Sequence, residues 1–137
     1  TVAVIDTGVD YTRSDFGCTS PGVPSGCKVN YYKNFVGTGS LDSNGHGTNV
    51  SGIVVGVAPS AKVAGLNVFG ANTNTTDSLI ISGINWAIAN RTTYNIVATN
   101  MSLEIGRASC RRQRQPWQLV LGFRIRHARI QCQRRGD

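Results

Sequence analysis

The chain has no apolar run of 18 residues, so no membrane-spanning helix is expected from it. No succession of basic, apolar and small residues opens it, and no signal peptide is read there. No Cys-x-x-Cys pair is present, which argues against a zinc site. Glutamine is missing before position 104 and lysine after Lys62, and these gaps mark a change in composition along the chain.

Charge changes at the same place. Residues 1–103 carry five Lys or Arg (Arg13, Lys28, Lys33, Lys62, Arg91) against five aspartates (Asp6, Asp10, Asp15, Asp42, Asp77) and are neutral overall. Residues 104–137 carry nine arginines and five glutamines against Glu104 and Asp137, so the whole net charge of +7 sits in the last quarter. The two regions call for separate readings. In the first, Cys18 and Cys27 bracket a Pro/Gly/Ser loop that a disulfide could close, with two free thiols as the alternative. Closing a loop that short stabilises by about 2–3 kcal/mol in the chain-entropy model.

The first region alternates strands and helices. Val2–Ile5 is a short apolar run ending at Asp6-Thr7-Gly8, the pattern of a buried parallel strand entering a turn. A second strand is expected around Val29–Val36, a third over Lys62–Phe69 and a fourth over Ile96–Met101. Asn44 is the expected N-cap of a helix that starts near His46 and stops at Gly56 and Pro59. Its Val50, Ile53, Val54 and Val57 fall on one stripe. Thr75 or Thr76 caps a second helix, with Leu79, Ile80, Ile84, Ala87 and Ile88 on its inner side and Asp77 at its positive end. This alternation predicts an α/β fold, a parallel sheet with helices on both faces. In such sheets the working residues lie at the carboxyl ends of strands, where Asp6 and Ser102 fall.

Five segments, taken together, resemble the subtilase family in order and approximate spacing. They are Val-Ala-Val-Ile-Asp-Thr-Gly-Val-Asp, Asn-Gly-His-Gly-Thr-Asn-Val-Ser-Gly-Ile, Gly-Val-Ala-Pro-Ser-Ala-Lys-Val, Gly-Ile-Asn-Trp-Ala-Ile-Ala-Asn and Asn-Met-Ser-Leu. The resemblance covers residues 1–103 and implies the front part of a subtilisin-like catalytic domain. Its triad order is Asp, His, Ser. It makes Asp6 the aspartate that orients the histidine, and His46 the general base that takes the serine proton. It also implies that Ser102 and Leu103 form the strand that pairs with extended substrate backbone. Asp15 matches an acidic calcium ligand of some members, with a solvated turn aspartate as the alternative; no other cofactor or metal is expected.

The departures bear on activity. Asn49 stands where the family commonly has a second histidine, and Glu104 where it usually has glycine after Ser-Leu. No asparagine follows Asn100 to serve as oxyanion donor, no Gly-Thr-Ser-Met-Ala-type block exists, and Ser109 is the only serine after Ser102. Without the nucleophile there is no acyl-enzyme route.

The segment 104–137 has no helical period and no evident turn grammar. Its arginines, with Trp117 and Phe123, could bind a polyanion; a divergent tail and a slipped reading frame are the other readings. Codon arithmetic favours the slip. Read one base later, Gly122-Phe123-Arg124-Ile125-Arg126-His127 permits Gly-Phe-Ala-Phe-Ala, an alternation suited to a strand. The expectation is a secreted serine endopeptidase by family, acting on polypeptides, with no membrane or nucleic-acid partner. The alternative is an inactive chain that binds extended peptides or polyanions.

Overall fold

A computed structural model of the chain describes residues 1–37, 39–69, 74–103, 118–120, 123–124, 127–128 and 131–133. Strand β1 (Val2–Asp6) is followed by β2 (Val29–Asn34), helix α1 (His46–Val57), β3 (Val63–Asn67), helix α2 (Asp77–Ala89) and β4 (Ala98–Asn100). The four strands are parallel, in the order β2-β3-β1-β4. Two separate antiparallel pairs follow. One joins β5 (Gln118–Val120) to β8 (Gln131–Gln133), the other β6 (Phe123–Arg124) to β7 (His127–Ala128). Glu104, Ser109 and most of the arginine-rich segment lie outside the described residues.

β1 is one of the two inner strands of the parallel sheet and reads as an unbroken apolar run because both of its faces are covered. Side-chain parity divides the core. Ala3 and Ile5 of β1 join Leu66, Val68 and Ala87 on the side of α2, where Leu79, Ile80, Ile84 and Trp86 pack. Val4 joins Val9, Phe16, Val29 and Val63 on the side of α1, with Val50, Val54 and Val55 against them. The disulfide Cys18–Cys27 lies on this second side and ties a surface loop into it.

Helices on opposite faces have a topological consequence. The β2-α1-β3 and β3-α2-β4 connections step across the sheet in the same direction. Two crossovers of one hand would place both helices on one face, so one of these is the left-handed form seen in only about 2% of such units. The difference in hand puts α1, with His46 at its first residue, on the face opposite α2.

The observed elements correct several expectations. β2, β3 and β4 are each shorter than predicted. In α1 the fully buried residues are Gly47 and Ser51, whereas Ile53 is 59% and Val57 83% exposed. In α2 the buried pair is Gly83 and Ala87, and Ile88 is 58% exposed. Both helices approach the sheet through a small pair at i, i+4, so the closest face is not the most apolar one. Thr76 caps α2 through its side chain, but the N-cap of α1 is Gly45, at φ 86°, with no side-chain cap bond. Asn44 Oδ1 instead accepts from the His46 N–H at 3.3 Å.

Candidate active site

Asp6 ends β1 with the same parity as Val4, so its side chain leaves the sheet on the side of α1. It is only 1% exposed. Its Oδ1 accepts the N–H of Thr7 at 2.7 Å and lies 2.7 Å from His46 Nδ1, while Oδ2 has no hydrogen-bond partner among the described residues. The His46 side chain is 47% exposed. A ring that donates Nδ1–H to a fixed carboxylate holds one tautomer and leaves the Nε2 lone pair to accept a proton.

The approach of α1 to β1 depends on Gly47. A Cβ there would lie 2.2 Å from the Gly8 carbonyl oxygen and 3.1 Å from Asp6 Cβ. No side chain fits between the helix start and the turn after β1, which is why His46 reaches a carboxylate buried at a strand end.

The first turn of a helix leaves N–H groups with no partner inside the helix. Here they are taken from three directions. Asn44 Oδ1 accepts from His46, Thr7 Oγ1 from Gly47 at 2.9 Å, and Asp42 Oδ2 from Thr48 at 2.8 Å. Asp42 also receives the Thr48 hydroxyl on Oδ2 at 2.5 Å, and on Oδ1 the Thr7 hydroxyl and the Gly45 N–H, each at 2.9 Å. The Asn44 N–H reaches the same oxygen at 3.2 Å. Burial pushes the Asp42 carboxyl up, but the bonds from Thr48, Gly45 and Thr7 outweigh it and hold the group below the usual carboxylate range. The negative charge also sits at the positive end of α1.

Ser102 and Leu103 follow β4, the neighbour of β1. Val4 pairs with Asn100, and continuing that register sets Ser102 level with Asp6. Ser102 Oγ donates to Asn100 Oδ1 at 3.2 Å and makes no bond to Asp6 or His46, while Leu103 is buried in the core on the α2 side. Asp15 is an exposed carboxylate 3.9 Å from Arg13 Nε. Among the described residues no group of three or more His, Cys, Asp or Glu side chains is placed to hold a metal ion. Asn49 is exposed on α1. Among the described residues no helix is long and apolar enough to cross a membrane.

Sequence reasoning passes over Asp42, Thr7 and Thr48. An aspartate four residues ahead of a helix start, with threonines beside both other motifs, is a weak signal, because polar residues of these types fill most turns.

The family model of the subtilase family matches residues 1–127, which runs past Leu103 into the arginine-rich segment. An alkaline proteinase of Hapsidospora chrysogena is 36% identical over 113 residues, 77% of this chain and 26% of that protein. A subtilisin-like protease of Coccidioides posadasii is 32% identical over 109 residues, 74% of this chain and 25% of its own length. A cuticle-degrading serine protease of Arthrobotrys oligospora is 33% identical over 107 residues, again 75% of this chain and 25% of the relative. The chain thus spans about a quarter of the length of these relatives. With a parallel α/β sheet, a buried aspartate at the end of β1 and a histidine at the start of α1, the chain belongs to the subtilase family of serine proteases.

Proposed function

We propose that this chain contributes the general base, His46, and its orienting carboxylate, Asp6, to a serine endopeptidase that cleaves extended polypeptides outside the cell. One observation carries the reading: the 2.7 Å contact between His46 Nδ1 and a carboxylate buried at a strand end. That arrangement fixes the tautomer a base needs, and family membership supplies the reaction class. The Cys18–Cys27 disulfide supports an oxidising, extracellular setting.

The chain alone does not complete the reaction. The sequence holds no Gly-Thr-Ser-Met-Ala-type block and no asparagine after Asn100, so a base is present without the family's nucleophile block. Loss of the oxyanion donor alone costs on the order of 10²–10³ in rate. A fluorogenic peptide assay on the whole chain, with titration by a serine-directed phosphonate, tests this. The expected result is no turnover above buffer and no label. Stoichiometric labelling at Ser109, abolished by His46→Ala, would overturn it. The chain spans only about a quarter of its relatives' length, and the gene sequence read in three frames tests whether the frame also slips past Leu103.

A second reading, an inactive chain that binds extended peptides, is favoured by one feature. β4 is one of the two edge strands of the parallel sheet among the described residues, with Ser102 and Leu103 just beyond it. Amide shifts at these two residues on adding an extended peptide, without turnover, would support binding; measurable turnover would exclude an inactive chain.

A further inference from the structure

We propose that Asp42 is the positioning residue of the Asp6–His46 pair, its carboxylate fixing the helix turn that carries His46 against the strand end that carries Asp6. The inference rests on the functional reading of that pair and adds to it a residue that touches neither reacting group.

Little holds the His46 ring directly. Its side chain is about half exposed, and among the described residues its one hydrogen bond is to Asp6. The ring is therefore placed by its backbone, and that backbone must be placed by something else. Asp6 is more closely held, buried at the end of the inner strand β1 with its Oδ1 bonded by the Thr7 N–H. A 2.7 Å bond between the two requires a closely fixed separation of strand end and helix start.

Asp42 spans that separation. Its Oδ1 takes the hydroxyl of Thr7, the residue after Asp6, and the N–H of Gly45, the residue before His46. Its Oδ2 takes both donors of Thr48, two residues after His46. Thr7 closes the circuit by accepting the Gly47 N–H, and Thr48 Oγ1 accepts the Asp10 N–H, which binds the helix turn to the chain beyond β1 a second time. Every hydroxyl in the circuit both donates and accepts, so the Asp42 charge sets the direction of each. A neutral group cannot accept from all of these donors at once. In a site where a displacement of about 1 Å can lower a rate about 10²-fold, such a group governs chemistry it never contacts.

A group that only stabilised the fold would change the melting temperature and leave the imidazole of the folded protein as it was. A positioning group changes the imidazole itself. The test is the imidazole ¹⁵N–¹H spectrum of His46 in the whole chain at a pH where the ring is neutral, recorded for the parent, Asp42→Ala, Asp42→Asn and the control Asp15→Asn. The parent and the control are expected to show a slowly exchanging Nδ1–H and one tautomer. Asp42→Ala, with native amide dispersion elsewhere, is expected to lose that signal and show averaged tautomers. Asp42→Asn, which keeps one acceptor oxygen, is expected to show a weakened, faster-exchanging Nδ1–H. An unchanged His46 signal in folded Asp42→Ala would overturn the proposal while leaving the functional reading intact. Loss of the fold in both Asp42 variants would assign Asp42 to the fold and overturn it as well. Absence of the Nδ1–H in the parent would strike the Asp6–His46 reading itself, and this proposal with it.

Discussion

The two faces of the parallel sheet are built by different means. On the α2 side, apolar side chains from β1, β3 and α2 meet, and Trp86 stacks on Tyr31 with ring centroids 4.2 Å apart. On the α1 side, a glycine packs against backbone, a hydrogen-bonded circuit runs through Asp42, Thr7 and Thr48, and a disulfide pins a loop. Apolar packing tolerates shifts because its partners are side chains that can rotate. Directional polar bonds with backbone partners do not. The face that carries Asp6 and His46 is the one fixed by the less forgiving interactions, as a site with one productive geometry requires.

Matched glycine substitutions test this contrast between the faces most severely. At Gly47 an added Cβ meets the Gly8 carbonyl at 2.2 Å, a backbone atom that cannot move aside. At Gly83 on α2 the nearest atoms are methyl carbons of Ile5 and Val68, at 3.1 and 3.3 Å. Gly47→Ala is expected to cost about 3 kcal/mol or more and to separate His46 from Asp6. Gly83→Ala should stay within about 1 kcal/mol of the parent, because the gain of about 1 kcal/mol in helix propensity offsets the crowding. Urea denaturation of both variants measures the difference. Equal costs would show that the two faces are not distinguished by rigidity.

A somewhat smaller loss is expected at the disulfide. Replacing Cys18 and Cys27 together by serine should remove about 2–3 kcal/mol of stability, read from the shift in the urea midpoint. It should leave the Asp6–His46 bond in place, since neither sulfur touches the circuit around Asp42. If the His46 Nδ1–H vanished in the folded double variant, the loop rather than the polar circuit would be setting the site.

How legible these features are depends on whether their cause is local. The apolar run Val2–Ile5 and the two glycines flanking His46 announce a strand end and a helix start, and the structure brings side-chain atoms of Asp6 and His46 at those ends within 2.7 Å of each other. The inner faces of the helices are not legible in this way. Hydrophobic periodicity marks the stripe with the most apolar area, but a helix seated closely on a sheet turns its smallest residues inward, here Gly47 with Ser51 and Gly83 with Ala87. The N-cap of α1 differs from expectation for a related reason. Asn44 is a good capping residue in isolation, yet Thr7 and Asp42 already supply acceptors for the first turn, and Gly45 takes the left-handed conformation that lets them. Asp42 does not stand out in the sequence because its partners come from the end of β1 and from α1 at once, and their meeting is a tertiary event.

Acidification probes the polar face alone. Asp42 is held below the usual carboxylate range, so its folded value lies below its unfolded one. Its contribution to stability is then fully present above the unfolded value of about 4 and is lost as pH falls through the lower, folded one. Its charge reaches Tyr32, which is raised by burial and, to a lesser degree, by that charge, and Asp10, Arg13, Asp15 and Lys28 line the same cleft. Hydrogen exchange at the Gly45 and Thr48 amides, which bond Asp42 directly, should accelerate below about pH 4, while amides of α2 keep their protection. Uniform loss across both helices would show global unfolding and no special weakness of the α1 face.

The smallest expected effect runs in the opposite direction. Ser51 is wholly buried on the inner side of α1, and its Oγ has no hydrogen-bond partner among the described residues. The corresponding residue of the small pair on α2 is Ala87. A buried hydroxyl without a partner costs about 1–3 kcal/mol, and serine is a poorer helix former than alanine by a few tenths of a kcal/mol. The hydroxyl oxygen contributes little to packing, so Ser51→Ala leaves at most a small void. The variant is therefore expected to be more stable by about 1 kcal/mol, a rise of a few degrees in melting temperature. The His46 imidazole signals should not change, because Ser51 lies outside the Asp42 circuit. A loss of about 1 kcal/mol instead would mean that Ser51 finds a partner in solution, such as a buried water. The α1 face would then be held by polar bonds along its whole length and not at the helix start alone.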